Sequence, residues 1–271
     1  MGRLTPIVAF CVLLVVVCSS AMSQSEEASA KPAERWHGPF GGTFTATFAV
    51  VSDYSFGGIS QTMLQPAFQP GFSYKTPSIG ETVKLSAYLA TWGSNINFAS
   101  TGPGIEIDLI GGFRLKAHEN RLSVDLGYVR YAYPDSPGSA FYDYGDYVAL
   151  VGYDFDLFQI NGKIRYSPNS FGNSGTAWTK RLQIAAPLPF LRVNENVSFK
   201  AYGTLGNLWV DRFLNYGIPS NDYWYWQIGL VTTVHGIDIT AAYTDTSIDI
   251  AGCGNTGNCQ GRVILSVGKT F

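Results

Sequence analysis

The chain has 271 residues, of which 46% are hydrophobic and only 14% charged, against about 25% charged in an ordinary soluble domain. Beyond its first two dozen residues it holds no apolar run of the roughly 18 residues that a transmembrane helix needs. A net charge of -2 without any basic stretch excludes nucleic acid as a partner class, and a chain this poor in charge, with 14% aromatics and 30 glycines, points to closed β-structure.

The N-terminus reads as a secretory signal over residues 1–23: Arg3, an apolar run at 6–17, and the small-residue pattern Ala21-Met22-Ser23, cut after Ala21 or after Ser23. Val17 is larger than the small residue that precedes a lipidated cysteine, which argues against a lipid on Cys18. Residues 24–42 carry Glu26, Glu27, Lys31, Pro32 and Glu34 with little apolar content, and are expected to form an exposed tail. The remainder, 43–271, is expected to be a single domain.

From Thr43 onward the dominant period is two. Twelve strands are predicted, at 44–51, 67–74, 83–92, 105–115, 122–128, 146–155, 157–166, 178–186, 197–205, 223–234, 237–244 and 262–271. Most approach the roughly 9 to 11 residues with which a tilted strand crosses an outer membrane. The segment holding Pro66 and Pro70 is the weakest, because proline brings no ladder donor. Short connections (117–120, 154–157, 235–236) alternate with long ones (131–145, 167–177, 206–222, 245–261). The fold class expected is all-β, a transmembrane antiparallel β-barrel of about 12 strands in a bacterial outer membrane, with both termini periplasmic.

With the more apolar face of each strand turned outward, Glu106, Asp108, Arg114, Asp125, Lys163, Arg165, Arg181 and Lys200 face inward and form the candidate pore lining. Lys84, Arg121, Asp146, Asp154, Asp238 and Arg262 join them. Only Arg130, Lys180 and Lys269 face outward, all near strand ends, where long side chains reach the interface. A soluble two-layer sandwich would show the same alternation with the faces exchanged. Tyr128, Tyr153, Phe155, Phe158, Tyr166, Trp178, Trp224 and Trp226 also fall near strand ends, where two aromatic girdles are expected.

The first strand is followed by Ser52-Asp53-Tyr54-Ser55-Phe56-Gly57-Gly58-Ile59-Ser60-Gln61-Thr62. This segment resembles the S-D-Y-x-F-R-G-I-S-Q-T motif of the TorF family of proposed porins. Three later pieces are similar in order and spacing: Trp92-Gly93-Ser94-Asn95-Ile96-Asn97-Phe98, then Glu106-Ile107-Asp108-Leu109-Ile110-Gly111-Gly112-Phe113, then Gly127-Tyr128-Val129-Arg130-Tyr131-Ala132-Tyr133-Pro134. The resemblance covers 49–134 well and the rest loosely, and it implies a Gram-negative outer-membrane barrel acting as a passive channel. Gly57 stands where that family has Arg, so no role of the Arg carries over. Read from the residues alone, Gly57 and Gly58 allow a tight reversal and Asp53 and Ser60 can bond nearby backbone; the motif is a structural turn or a solute site.

Cys11 and Cys18 leave with the signal, and Cys253 and Cys259 of an exported chain are expected to pair as a disulfide. A metal site there lacks a further His or Cys, so no metal and no cofactor are expected. The C-terminal strand ends in Phe271 with Val263, Leu265 and Val267 on the same face, which resembles the signal read by the barrel-assembly machinery. Lys269 departs from the apolar residue usual there. A porin passing small hydrophilic solutes, surrounded by outer-membrane lipid, is the leading function. The alternative is a closed structural or adhesive barrel whose loops at 142–147 and 216–226 bind partners. A lipid hydrolase would need a serine activated by histidine, but His37 lies in the tail, His118 and His235 lie in short turns, and no G-x-S-x-G occurs, so no catalytic residue is assigned.

Overall fold

The computed structural model describes residues 36–98, 102–134, 136, 142–191 and 193–271; the signal at 1–23 and the tail up to residue 35 lie outside the described residues. Twelve long strands form: β1 Thr43–Val51, β2 Ala67–Lys75, β3 Lys84–Asn95, β4 Ile105–Ala117, β5 Leu122–Ala132, β6 Tyr144–Asp154, β7 Gln159–Ser167, β8 Ala177–Pro187, β9 Val197–Val210, β10 Asp222–Val234, β11 Ile237–Thr246 and β12 Arg262–Thr270. Each lies beside its neighbours in chain order. β12 returns to β1 in the register Val267↔Val50 and Lys269↔Phe48, and β6 lies against β7, so the sheet closes into a barrel with no free edge.

All twelve predicted strands are present, and β3, β4, β5, β9 and β11 run a few residues past their predicted ends. The proline segment is accommodated at the edge of a ladder. β2 pairs with β3 only from Gly71 onward, one residue past Pro70. Upstream, the Asn95 side chain takes the place of the missing strand: its Oδ1 accepts from the Phe68 N–H at 2.8 Å and its Nδ2 donates to the Pro66 carbonyl at 3.1 Å.

Polarity is reversed relative to a soluble domain. Leu89, Phe113, Ile228 and Val263 are each more than 60% exposed on the outside, while Glu106, Asp125 and Lys163 are 2 to 3% exposed inside. An outer belt of this kind suits hydrocarbon and not water, which disposes of the sandwich alternative and makes this a transmembrane barrel. Arg130, Lys180 and Lys269 do point outward close to strand ends; Arg130 meets Asp143 at 3.0 Å, and the Lys269 ammonium lies 4.9 Å from the Phe271 ring centroid.

Aromatic rings mark both borders of the belt. At one, Tyr128, Tyr147, Tyr166 and Trp178 form a ring-to-ring chain across β5 to β8, with centroids 5.3, 6.4 and 4.6 Å apart. At the other, Tyr153, Phe155 and Phe158 form a second chain, and Phe271 meets Phe48 at 6.1 Å across the β12–β1 seam. The connections 76–83, 118–121, 155–158, 188–196 and 235–236 gather at this second end, with Thr43 and Phe271. His235 and Gly236 both have positive φ, the geometry of a two-residue hairpin that follows the strand twist. Residues Trp36–His37 pair back onto β1, opposite Phe44 and Thr43.

Candidate functional site

The long connections 52–66, 96–104, 133–143, 168–176, 211–221 and 247–261 gather at the opposite end of the barrel. The first does not stand away from the barrel. Ser55–Phe56 pairs with Ile59–Ser60 around Gly57 and Gly58, both at positive φ (56° and 82°), and this small hairpin folds down into the lumen. A Cβ added at Gly57 would lie 2.7 Å from the Tyr223 hydroxyl, and one at Gly58 would lie 2.5 Å from the Thr246 methyl. Wall and backbone are therefore too close for a side chain at either position.

Three anchors hold the hairpin. Asp53, buried, accepts from Ser60 Oγ at 2.5 Å and Thr62 Oγ1 at 2.8 Å through one carboxylate oxygen, and from Arg262 Nε at 2.6 Å through the other. Arg262 also donates to the carbonyls of Gly58, Asn258 and Gln260, so the first loop is tied through β12 to the last one. There the Cys253–Cys259 disulfide, with Cα atoms 6.0 Å apart, closes the turn that presents the Asn258 carbonyl. The second anchor is Glu106, whose two oxygens each accept at 2.9 Å from a phenol, Tyr54 and Tyr133. Burial first, and then the Glu106 carboxylate, raise both phenols well above their ordinary pKa, so both stay protonated donors. The third is Phe56, whose ring centroid lies 4.4 Å from the Arg165 guanidinium carbon and 6.1 Å from the Tyr131 ring.

Beneath this roof lies a cavity of about 170 Å³, lined by Gln69 and Trp92, by Asp108, by Lys163 and Arg181, and by Gln227. Arg165 also borders it but is occupied: it donates to the Tyr131 hydroxyl at 3.0 Å and lies 3.7 Å from Asp146. Room for the cavity comes partly from glycine. Tyr225 and Tyr202 lie flat over the cross-strand residues Gly206 and Gly229, where a Cβ would collide with the ring. Two packed clusters close the loop end around the roof. One holds Tyr54, Trp92, Tyr131, Tyr133 and Tyr144; the other holds Leu208, Val210, Tyr223, Tyr225 and Cys259.

The family described as "Bacterial protein of unknown function (Gcw_chp)" matches residues 36–271, which include the whole barrel. The chain belongs to the Gcw_chp family. No curated protein sequence matches it. Among solved structures, this Gcw_chp chain is similar to LpxR from Salmonella typhimurium (TM-score 0.45, 9% identity, 84% of this chain and 99% of that one) and to the NanC porin (0.44, 11%, 84% and 98%). It is also similar to the outer membrane channel DcaP of Acinetobacter baumannii (0.39, 10%, 88% and 99%).

All eight candidate pore residues sit on the inner face of the Gcw_chp barrel, but not together. Asp108, Lys163, Arg165 and Arg181 border the cavity. Glu106 is spent on the two phenols at the loop end. Arg114 and Asp125 pair with each other at 3.0 Å toward the turn end, and Lys200, opposite buried Val231, lies beyond the cavity on the same side. Ser52 Oγ accepts from the Leu265 N–H, and Ser60 Oγ from the Leu64 N–H, both at 2.9 Å, so these motif residues serve the backbone. Asp53 serves side chains instead. Sequence reading takes Arg262 only as one inward charge and Trp92 and Tyr131 only as parts of the motif pieces; the pairing of Arg262 with Asp53 and of Tyr131 with Arg165 joins residues far apart in the chain and leaves no local pattern. His118 Nδ1 lies 2.7 Å from the Tyr153 hydroxyl at the turn end, and His235 forms its hairpin turn. Among the described residues no group of three or more His, Cys, Asp or Glu is placed to hold a metal.

Proposed function

We propose that this barrel is an outer-membrane porin that passes small hydrophilic solutes, with passage set by the gap between the first-loop hairpin and the charged wall of β7 and β8. The observation that carries the reading is a charged cavity inside an apolar-walled barrel, roofed by a loop that could have folded outward. Charged and polar groups around a constriction select solutes by size and field, without any catalytic step. The resemblance of the hairpin motif to the TorF family supports the same reading, as does a lumen lined by Asp108, Lys163, Arg165 and Arg181. In this arrangement residues 1–23 direct export, Phe271 is read by the barrel-assembly machinery, outer-membrane lipid surrounds the belt, the termini are periplasmic and the long loops extracellular.

A closed structural or adhesive barrel is favoured by one feature, the two clusters of buried apolar side chains packed into the loop end, one of them mostly aromatic. Planar-bilayer recordings of the folded protein separate the two. Stepwise currents are expected from the porin; sustained silence from protein that still shows heat-modifiable gel migration overturns it in favour of the closed barrel.

A further inference from the structure

Among the described residues, four buried polar atoms on side chains that line the cavity have no hydrogen-bond partner: Trp92 Nε1, Asp108 Oδ1, Arg165 Nε and Arg181 Nε. Arg165 is nonetheless engaged, its Nε lying 3.7 Å from Asp146 and its guanidinium held by Tyr131 and Phe56. The other three atoms are one acceptor and two donors. Asp108 and Trp92 stand directly opposite each other on β4 and β3 and are 8% and 7% exposed. The indole is packed in place by Tyr54, whose ring centroid lies 5.3 Å away, and Arg181 stands further round the wall on β8. A buried polar atom left unbonded is costly, and polar groups converging on a cavity are what fix the orientation of a bound solute.

The chemistry of that solute follows atom by atom. Asp108 needs a hydrogen-bond donor rather than a counter-charge, since Arg165 and Lys163 already act on it electrostatically and Lys163 is itself engaged. The same two cations disfavour an ammonium donor, and the carboxylate disfavours an anion beside Trp92. Trp92 and Arg181 need acceptors. A hydroxyl both donates and accepts, so several hydroxyls on one uncharged molecule answer all three atoms. Around them Gln69, Thr179, Gln227 and Thr240 offer amides and hydroxyls that take either role. The space, about 170 Å³, compares with the ~150 Å³ that admits a guest the size of benzene.

We propose that the cavity is a binding site for a small uncharged polyol of about the size of glycerol, with one hydroxyl donating to Asp108 and others accepting from Trp92 and Arg181. The inference rests on the porin reading only for the route by which the solute arrives.

Nuclear magnetic resonance of the folded full chain in detergent, labelled with ¹⁵N at its 6 tryptophans, tests it through the indole N–H signals. Trp92→Phe identifies the Trp92 signal, or substitution of the other tryptophans does so by elimination should that variant not fold. Glycerol is expected to move the Trp92 signal saturably at millimolar concentration while the other indoles stay in place. The similar-sized 1-propanol, propionamide and propionate are expected to bind about tenfold more weakly, the loss that goes with one hydrogen bond to a charged group. Asp108→Asn is expected to weaken glycerol about tenfold as well. Heat-modifiable migration reports whether that variant is folded, and the wild-type probe series decides the matter if it is not. No saturable shift of Trp92, or a shift shared by all the indoles, overturns the site and leaves a cavity that holds water alone. Propionamide or propionate binding as well as glycerol overturns the polyol class. Binding by a barrel that passes no current upholds the site and sinks the passage; current without binding does the reverse.

Discussion

At the turn end of the lumen, side chains meet partners from the next strand. Arg114 Nε donates to both oxygens of Asp125, 11 residues away, Thr233 bonds Asp238, and Tyr88 lies over the facing pair Gly112 and Gly127, where an added Cβ on either would fall within 2.9 Å of its hydroxyl. At the loop end the partners come from far along the chain: Asp53 and Arg262 are 209 residues apart, and Tyr54 and Glu106 are 52 apart. Both ends use the same inward strand positions. The turn end is a wall whose contacts follow from strand order, whereas the loop end is an insert placed in the wall and held by buried charge. An inward-folded loop costs conformational entropy and desolvation that an outward loop avoids, so its presence argues that the insert itself is what the buried charges maintain.

Removing the insert tests this contrast most directly. Excision of residues 55–60, which takes away Phe56 and the two glycines but keeps Asp53, is expected to raise single-channel conductance severalfold in planar bilayers while the barrel still migrates as a folded species. An unchanged conductance would show that the hairpin does not limit passage and that the wall itself does.

The anchor is the next most sensitive point. Asp53→Ala leaves the Arg262 guanidinium, 13% exposed, without its carboxylate, and removing one partner of a buried pair costs about 3–5 kcal/mol. The temperature at which the folded band disappears on a detergent gel is expected to fall accordingly. Adding Arg262→Met removes the stranded charge, so the double variant is expected to recover part of the loss. A double variant as unstable as the sum of the two single ones would mean that Asp53 and Arg262 do not act as a pair.

The same contrast governs what could be read from the sequence. Strand positions, the inward charges, the outward Lys180 and Lys269, and the disulfide follow from local signals: a period of two, turn residues and the redox setting of an exported chain. The hairpin motif was legible as a turn, since two adjacent glycines at positive φ are a short-range feature, but its direction was not. That it folds inward depends on Tyr223 and Thr246 closing over Gly57 and Gly58 and on Arg262 reaching Asp53, contacts that no window of sequence contains. The Gly57 departure from the TorF motif has a physical reason here, since any side chain at φ 56° would meet the Tyr223 hydroxyl. The inward set likewise gives a face but no height. It lists Glu106, Arg165 and Arg114 as equals, although phenols occupy the first, Tyr131 and Asp146 the second, and Asp125 the third.

The smallest effect is expected at the turn end, and its smallness is what gives it value. Arg114→Gln removes the salt bridge to Asp125 at 3.0 Å, with the Arg114 side chain 26% exposed and the Asp125 side chain 5%. Because the arginine is partly solvated, the loss is expected to be about 1–2 kcal/mol, the lower range for a hydrogen bond to a charged group and below that of the Asp53 anchor. Asp125 lies well within the barrel and outside the residues that line the cavity, so neither conductance nor solute binding is expected to change. If Arg114→Gln altered the current as strongly as excision of the hairpin, the turn end would be the constriction. The insert held by Asp53 and Arg262 would then be a structural plug beside the path.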